Sequence, residues 1–277
     1  MPTTLLITGA NGFLARAVAN AATSAWRPIG LVRPGCADAP ANTGLHGLYN
    51  SLDSLTAAEP QVDVVLHLAA WIPRVASAFD PELIAANIGL PAQLLMRYPR
   101  SRHILASSVS VYGVPVSLPI SVTSPTRPCT PYGWSKLAAE NLFRTADHHA
   151  ILRLSSIVGR GMRAGSFIPA AVAGARAGCI QLRGDGARTQ DYIDVRDAAA
   201  MCLRAASRHD NFVTLGVSGR TYNNREVAQE LAAMTGAGIE CFGHDDSPSF
   251  AYDLADAVEL GPCTFPLRDT LQDMVRE

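Results

Sequence analysis

The chain has 277 residues, 48% hydrophobic and 17% charged, with a formal net charge of -1 at pH 7. That length can bury one sizeable core with a smaller lobe attached, and a pI near 6.6 argues against a surface built for nucleic acid or anionic lipid. The longest apolar runs, such as residues 62–70, are too short to span a bilayer.

Strand and helix patterns alternate from the start. Residues 4–8 form a short apolar run ending at Gly9, and residues 13–23 are Ala-rich and helical. Residues 28–32 read as a second strand, followed by a loop rich in Pro, Gly and Asp to about Asn42. A weaker strand covers 45–48, and 62–68 is a continuous apolar run. Further strands are expected at 103–107 and 150–154, with helices at 82–97 and 132–148 between them. Continuous apolar strands separated by helices mark a parallel sheet covered on both faces. The expectation is an α/β protein with a doubly wound Rossmann sheet. After residue 155 the pattern loosens, with turns at Gly159-Arg160-Gly161 and Gly184-Asp185-Gly186. This divides the chain into a dinucleotide-binding domain (1–155, with strand segments around 190–217) and a small substrate-binding lobe (156–189 and 218–277).

Six cysteines, at positions 36, 129, 179, 202, 241 and 263, include no Cys-x-x-Cys pair. Free thiols in a reduced compartment fit this better than a disulfide framework. The N-terminus carries no basic segment or cleavage signal, so a cytoplasmic location is expected. The seven histidines show no metal-ligand spacing, and no metal site is expected.

The first strand runs into Gly9-Ala10-Asn11-Gly12-Phe13-Leu14-Ala15 and then a helix. Glycines there let the backbone approach a pyrophosphate, whose charge faces the amides of a helix N-terminus. Gly9, Asn11, Gly12, Phe13 and Leu14 are therefore candidate cofactor contacts, with Ala15 small enough for close helix–strand packing. A second strand that ends in a carboxylate suits a free 2′-hydroxyl, and one that ends in Arg suits a 2′-phosphate. This one ends at Arg33, with no carboxylate before Asp38, so NADP is expected in preference to NAD.

Pro131-Tyr132-Gly133-Trp134-Ser135-Lys136 opens a helix. Residues four apart share a helical face, so the phenol and the ammonium can meet at one site. A nearby cation lowers a phenol's pKa, which fits Tyr132 to exchange a proton while hydride moves to or from a nicotinamide. Lys136 is the only lysine in the chain, against 22 arginines, and would fall four after a tyrosine by accident a few per cent of the time. Upstream, Ser107 and Ser108 close a strand whose carboxyl end is where such sheets bind ligands.

With these motifs the chain resembles the extended short-chain dehydrogenase/reductases of the NAD-dependent epimerase/dehydratase, nucleotide-sugar-modifying family. The likeness runs through the Gly9/Gly12 loop, residues 63–70, Asp80-Pro81 leading to Asn87, Ser107-Ser108 before Val111-Tyr112-Gly113, and Tyr132 to Lys136. It continues through Arg153-Leu154, the turn at 159–161, residues 191–197, and Leu260-Gly261 with Phe265-Pro266. The resemblance implies Ser108, Tyr132 and Lys136 as the catalytic set. It implies Leu68, Ala69, Ala70 and Asn87 beside the cofactor, and Ser110, Tyr112 and Arg188 with Ser108 at the substrate. It also implies a homodimer, with Leu137, Leu142 and Phe143 as apolar positions on the helix that pairs; these residues could equally face the sheet.

Three departures bear on the substrate. The family's dehydratases carry Asp-Glu after the catalytic hydroxyl, where Val109-Ser110 stand here, so elimination of water lacks its acid. Gln190 stands where many nucleotide-sugar members carry a diphosphate-binding arginine, and the Arg-x-Gly-Asp type motif near the C-terminus is replaced by an acidic stretch at 244–248. The expectation is a keto-sugar reductase or epimerase acting on a sugar or nucleotide sugar. A reductase of a smaller carbonyl, or a dinucleotide sensor without chemistry, remains open.

Overall fold

The apolar runs of the N-terminal half become the buried strands of a parallel sheet in the computed structural model, which describes residues 1–35, 44–73, 80–253, 255 and 260–277. In chain order the first elements are β1 (Thr3–Thr8), α1 (Phe13–Ala21), β2 (Trp26–Leu31), β3 (Gly47–Tyr49), α2 (Leu52–Ala58) and β4 (Val64–His67). Next come α3 (Pro81–Ile84), a π-helical turn (Ala85–Gly89), α4 (Leu90–Arg97), β5 (Arg102–Ser108) and a 3-10 turn (Val109–Tyr112), then α5 (Pro131–Phe143) and β6 (His149–Leu154). The remainder comprises β7 (Ser156–Val158), α6 (Phe167–Arg176), β8 (Cys179–Arg183), β9 (Thr189–Asp194) and α7 (Val195–Ser207). The last elements are β10 (Phe212–Gly216), β11 (Thr221–Asn223), α8 (Asn224–Thr235), β12 (Gly238–Phe242) and α9 (Leu267–Val275). Asp38 and Cys36, on which the sequence reading touched, lie outside the described residues.

The chain divides into two units. The first holds Met1–Val114, Val122–Leu154 and Ala198–Leu215. Its seven-stranded sheet has the order β10-β6-β5-β4-β1-β2-β3, and the pairs β1–β2, β1–β4, β2–β3, β4–β5 and β5–β6 are parallel. The chain winds outward from β1 in one direction and from β4 in the other, so the strand order reverses between them, as the doubly wound reading expected. The register pairs Thr8 with His67 and His67 with Leu105. The carboxyl ends of β1, β4 and β5 therefore open on one edge of the sheet. Leu5, Leu6, Ile7, Val65, Leu66, Ile104 and Leu105 are completely or almost completely buried, which is why these strands show no polar alternation.

Two helices differ from their expected form. The segment expected as one helix over 82–97 carries the π-helical turn in its middle. Pro91 has no N–H to give, which removes the ordinary i→i−4 bond there. The chain widens by one residue just before it, with the Leu90 amide donating to the Ala85 carbonyl. The helix expected over 132–148 ends at Phe143. Beyond it the amides of Thr145 and Ala146 bond three residues back, tightening the polar stretch out of the helix. The weak helix α2 had no strong periodicity and was not expected.

The second unit holds Pro115–Ser121, Ser155–Asp197 and Gly216–Glu277. It has a three-stranded sheet, β11-β9-β7, and a two-stranded one, β12-β8. Of the strands around 190–217, β10 lies in the seven-stranded sheet, whereas β9 pairs with β7 and β11. Val158, Ile168, Leu182, Val227, Leu231 and Leu271 share its core. Helix α8 starts with a capping box between Asn223 and Glu226 and ends at Gly236 in the left-handed region.

Candidate active site

The turn after β1 is shaped for close backbone approach. Gly9 has φ +64°, and a Cβ there would come within 2.9 Å of the Ala69 Cα. The two strand ends are tied together as well: the Ala69 amide donates to Thr8 Oγ1 at 3.1 Å, and that hydroxyl bonds His67 Nδ1 at 3.0 Å. His67 is buried against Phe143, and burial pulls its pKa down to about 3, so it is a neutral packing residue.

Helix α1 begins at Phe13 behind Gly12, with no side-chain cap and no acidic residue in its first turn. Its first amides are thus left to an external anion, favoured there by the helix dipole. Ala15 is buried as the close packing requires, Asn11 is exposed, and Phe13 and Leu14 are half-buried at the helix start. On the neighbouring strand end, Leu68 and Ala69 are half-buried and Ala70 is exposed. These residues fit a dinucleotide: a glycine cradle, an uncapped helix start and an open, apolar strand end.

Asn87 falls in the π-helical turn, almost fully buried. Its side chain accepts from the Trp71 amide at 2.7 Å and donates to the Trp71 carbonyl at 3.0 Å and to Ser135 Oγ at 2.9 Å. It clamps the chain that follows β4 to α5. The Trp71 indole in turn donates to Asp80, the N-cap of α3. Arg33, exposed at the tip of β2, lies over the Trp71 ring at 5.1 Å.

Tyr132 and Lys136 occupy one face of α5, with the Lys136 Nζ 5.8 Å from the Tyr132 ring centroid. Gly133 allows this helix start to press on the 3-10 turn, since a Cβ there would lie 2.6 Å from the Ser110 carbonyl oxygen. Ser108 bonds the Tyr132 hydroxyl, and its Oγ also lies 2.8 Å from Ser110 Oγ and accepts from the Ser110 amide. The period-two alternation of β5 sends the adjacent Ser107 the other way, to Glu140 Oε1 at 2.6 Å. Three of the expected groups are therefore brought together around one point.

Their electrostatics differ from the sequence expectation. Enclosure of its hydroxyl pushes the Tyr132 phenol up to about 12, and the bond to Ser108 only partly opposes this. Burial pulls Lys136 down to about 8, with the Glu140 carboxylate opposing. The ammonium is turned toward the Ala106 carbonyl at 2.8 Å, so the field that was to acidify the phenol is outweighed by desolvation.

The other expected residues are placed as follows. Tyr112 is 2% exposed, and its hydroxyl accepts from Arg153 Nη1 at 2.8 Å, so it braces the interior. Arg188 belongs to the second unit, where its Nε donates to the Pro248 carbonyl. Of the two placements open for Phe143, pairing surface or sheet, the structure shows the second: it is fully buried beside Leu105 and Ile151, while Leu137 and Leu142 are half-buried. Sequence reasoning passed over Glu140. It is completely buried and accepts from Arg153 Nε and Nη2 at 3.0 and 2.8 Å as well as from Ser107. Its spacing of four from Lys136 was the available signal.

A doubly wound sheet with this glycine turn and a Tyr-x-x-x-Lys helix defines an enzyme of the NAD(P)-dependent short-chain dehydrogenase type, working by hydride transfer at a carbonyl or secondary alcohol. The chain belongs to the NAD dependent epimerase/dehydratase family, whose model matches residues 5–223. It is 28% identical to a UDP-glucose 4-epimerase of Azospirillum brasilense, over 98% of this chain and 90% of that one. It is 32% identical to a UDP-glucose 4-epimerase of Streptomyces lividans, over 64% of this chain and 62% of that one. Among solved structures, MoeE5 in complex with UDP-glucose and NAD superposes with a TM-score of 0.82 at 27% identity, covering 99% of this chain and 97% of that one.

Proposed function

We propose that this protein is an NAD-dependent 4-epimerase of a UDP-hexose. The observation that carries the reading is the convergence of Ser108, Tyr132 and Lys136 at the end of β5, on the sheet edge where β1 runs into the glycine turn. Similarity to a UDP-glucose 4-epimerase over 98% of the chain supports the substrate class. Val109-Ser110 in place of an acidic pair supports epimerisation over loss of water.

In this reading Gly9, Asn11, Gly12, Phe13 and Leu14 hold the pyrophosphate through the first amides of α1, Leu68, Ala69 and Ala70 flank the dinucleotide, and Lys136 holds the nicotinamide ribose. Bound there, the oxidised dinucleotide supplies a hydride acceptor and added positive charge. Tyr132 takes the proton of the sugar 4-hydroxyl and later returns it to the 4-keto oxygen. It can accept a proton only as phenolate, so a phenol near 12 requires that added cationic charge beside it. Ser108 donates a hydrogen bond to the same oxygen, and Ser110 orients Ser108. Asn87 holds the Trp71 backbone in place. The sugar would leave at its starting oxidation state, changed only in the configuration at C4.

We assign NAD over NADP, because the 27% identical MoeE5 structure is a complex with NAD. We assign residues 156–189 and 218–277, with Arg188, as the substrate-binding lobe, and place the enzyme in the cytoplasm as a homodimer. Trp134, 65% exposed on α5, supplies apolar surface for pairing, and no described helix is long and apolar enough to cross a membrane.

The test is incubation with UDP-galactose and catalytic NAD, read by NMR of the anomeric protons. Equilibration with UDP-glucose without net absorbance change at the reduced-nicotinamide wavelength is expected, and Tyr132→Phe should abolish it. Stoichiometric reduction of NAD supplied in excess, with the sugar oxidised and no interconversion of any UDP-hexose, would replace the epimerase with a dehydrogenase.

A further inference from the structure

Helix α5 sets Tyr132, Lys136 and Glu140 at successive turns of one face. Lys136 and Glu140 are buried, at 3% and 0% exposure. The Glu140 carboxylate joins three elements: its own helix, β5 through Ser107, and β6 through Arg153. Ser107 precedes Ser108, and the remaining Arg153 nitrogen donates to the Tyr112 hydroxyl and the Val122 carbonyl. We propose that Glu140 is a positioning residue of the reaction centre, a buried carboxylate one helical turn from the Lys136 ammonium that fixes α5 to the strand that carries Ser108. This rests on the role given to Lys136 above and deepens it.

The need for such a group follows from burial. An ammonium removed from water tends to lose its proton, and Lys136 is drawn down to about 8 by this cause. The opposing pull comes from Glu140. The other groups facing the amine add no negative charge. His67, from β4, is neutral and buried, Tyr132 is a protonated phenol, and Asn87, which reaches α5 through Ser135, is uncharged. Arg153, from β6, is engaged by Glu140 itself. The Glu140 carboxylate accepts from one hydroxyl and two guanidinium nitrogens and faces the Arg144 guanidinium at 3.7 Å, one helical turn from the amine on which it acts.

The chain offers a direct readout, because Lys136 is its only lysine. Protein labelled with 13Cε-lysine gives one side-chain signal, whose titration is followed by NMR without substrate. The wild type should titrate near pH 8, and Glu140→Gln roughly one pH unit lower. Because Gln leaves Arg153 uncompensated, Glu140→Gln with Arg153→Met is measured alongside, with folding checked by circular dichroism. The paired variant should retain the acid-ward displacement, and Glu140→Asp should show less of it. A midpoint in either Gln variant equal to or above the wild type would overturn the proposal. The titration needs no turnover, so failure of the epimerase reading would show separately, as absence of sugar interconversion in the wild type.

Discussion

The Lys136 ammonium donates to the main-chain carbonyl of Ala106 at 2.8 Å, two residues upstream of Ser108. This bond binds the helix that carries the phenol to the strand that carries the serine. It also turns the cation inward, and the phenol remains a weak acid in the protein alone because enclosure disfavours its charged form. Burying that cation has a measurable cost.

The folded-state pKa of Lys136, about 8, is below the ordinary lysine value of 10.5. Folding therefore disfavours the charged form: the destabilisation is complete below pH 8 and disappears as pH rises toward 10.5. The difference corresponds to roughly 3 kcal/mol at neutral pH. Lys136→Met should be more stable than wild type at pH 7 in urea titrations, with the advantage gone by pH 10. An advantage that does not change with pH would contradict the assigned burial. Tyr132 has the opposite sign. Its raised pKa contributes stability that is present below pH 10 and lost as pH climbs toward 12.

Activity should follow the same lysine in reverse. Since the ammonium is the working form, kcat/KM is expected to fall above about pH 8, the value for the free enzyme. Tyr132→Phe should lower kcat by roughly 10³-fold or more with dinucleotide binding intact, and Ser108→Ala by about 10²-fold. Steady-state kinetics with fluorescence titration of the cofactor separates the two effects. Loss of binding together with kcat in Tyr132→Phe would argue for a structural role.

Gly9→Ala places a methyl group 2.9 Å from the Ala69 Cα in a left-handed turn. The backbone conformation alone costs about 1–2 kcal/mol, and the contact displaces the strand end at Ala69. A lower Tm and more than ten-fold weaker cofactor binding are expected by calorimetry. Unchanged affinity would remove this turn from the cofactor site.

Asn87→Ala removes the clamp on both polar groups of the Trp71 backbone. Leaving them without their partner inside the protein should cost about 1–3 kcal/mol. Because the clamped segment follows the strand end at Ala70, dinucleotide affinity should fall as well. Denaturant melts with and without cofactor test both. If stability falls and affinity does not, the clamp serves only the fold.

The parallel sheet was legible because its central strands are buried on both faces and carry no alternation to misread. The glycine turn and the Tyr132–Lys136 pair were legible because both are local, set by spacings of three and four residues. Glu140 was hidden within its helix, since a buried acid is recognisable only through Arg153 and Ser107, which fold onto it from two strands. Phe143 stayed open between a pairing surface and the sheet for the same reason, and only the packing of Leu105 and Ile151 decides between them. The π-helical turn left a trace in Pro91, but the periodicity of 82–97 concealed it.

That turn controls phase along its helix. A regular helix advances about 100° per residue, so the one additional residue accommodated over Ala85–Gly89 sets the angular offset between α3 and α4. Asn87 points at Trp71 and Ser135 from inside this offset, while Leu94, completely buried, packs with Leu6 and Val65 beyond it. Deleting a single residue there would let the rod wind uniformly, and the two inward faces could no longer be satisfied together. Either the clamp or the packing against the sheet would rotate toward solvent.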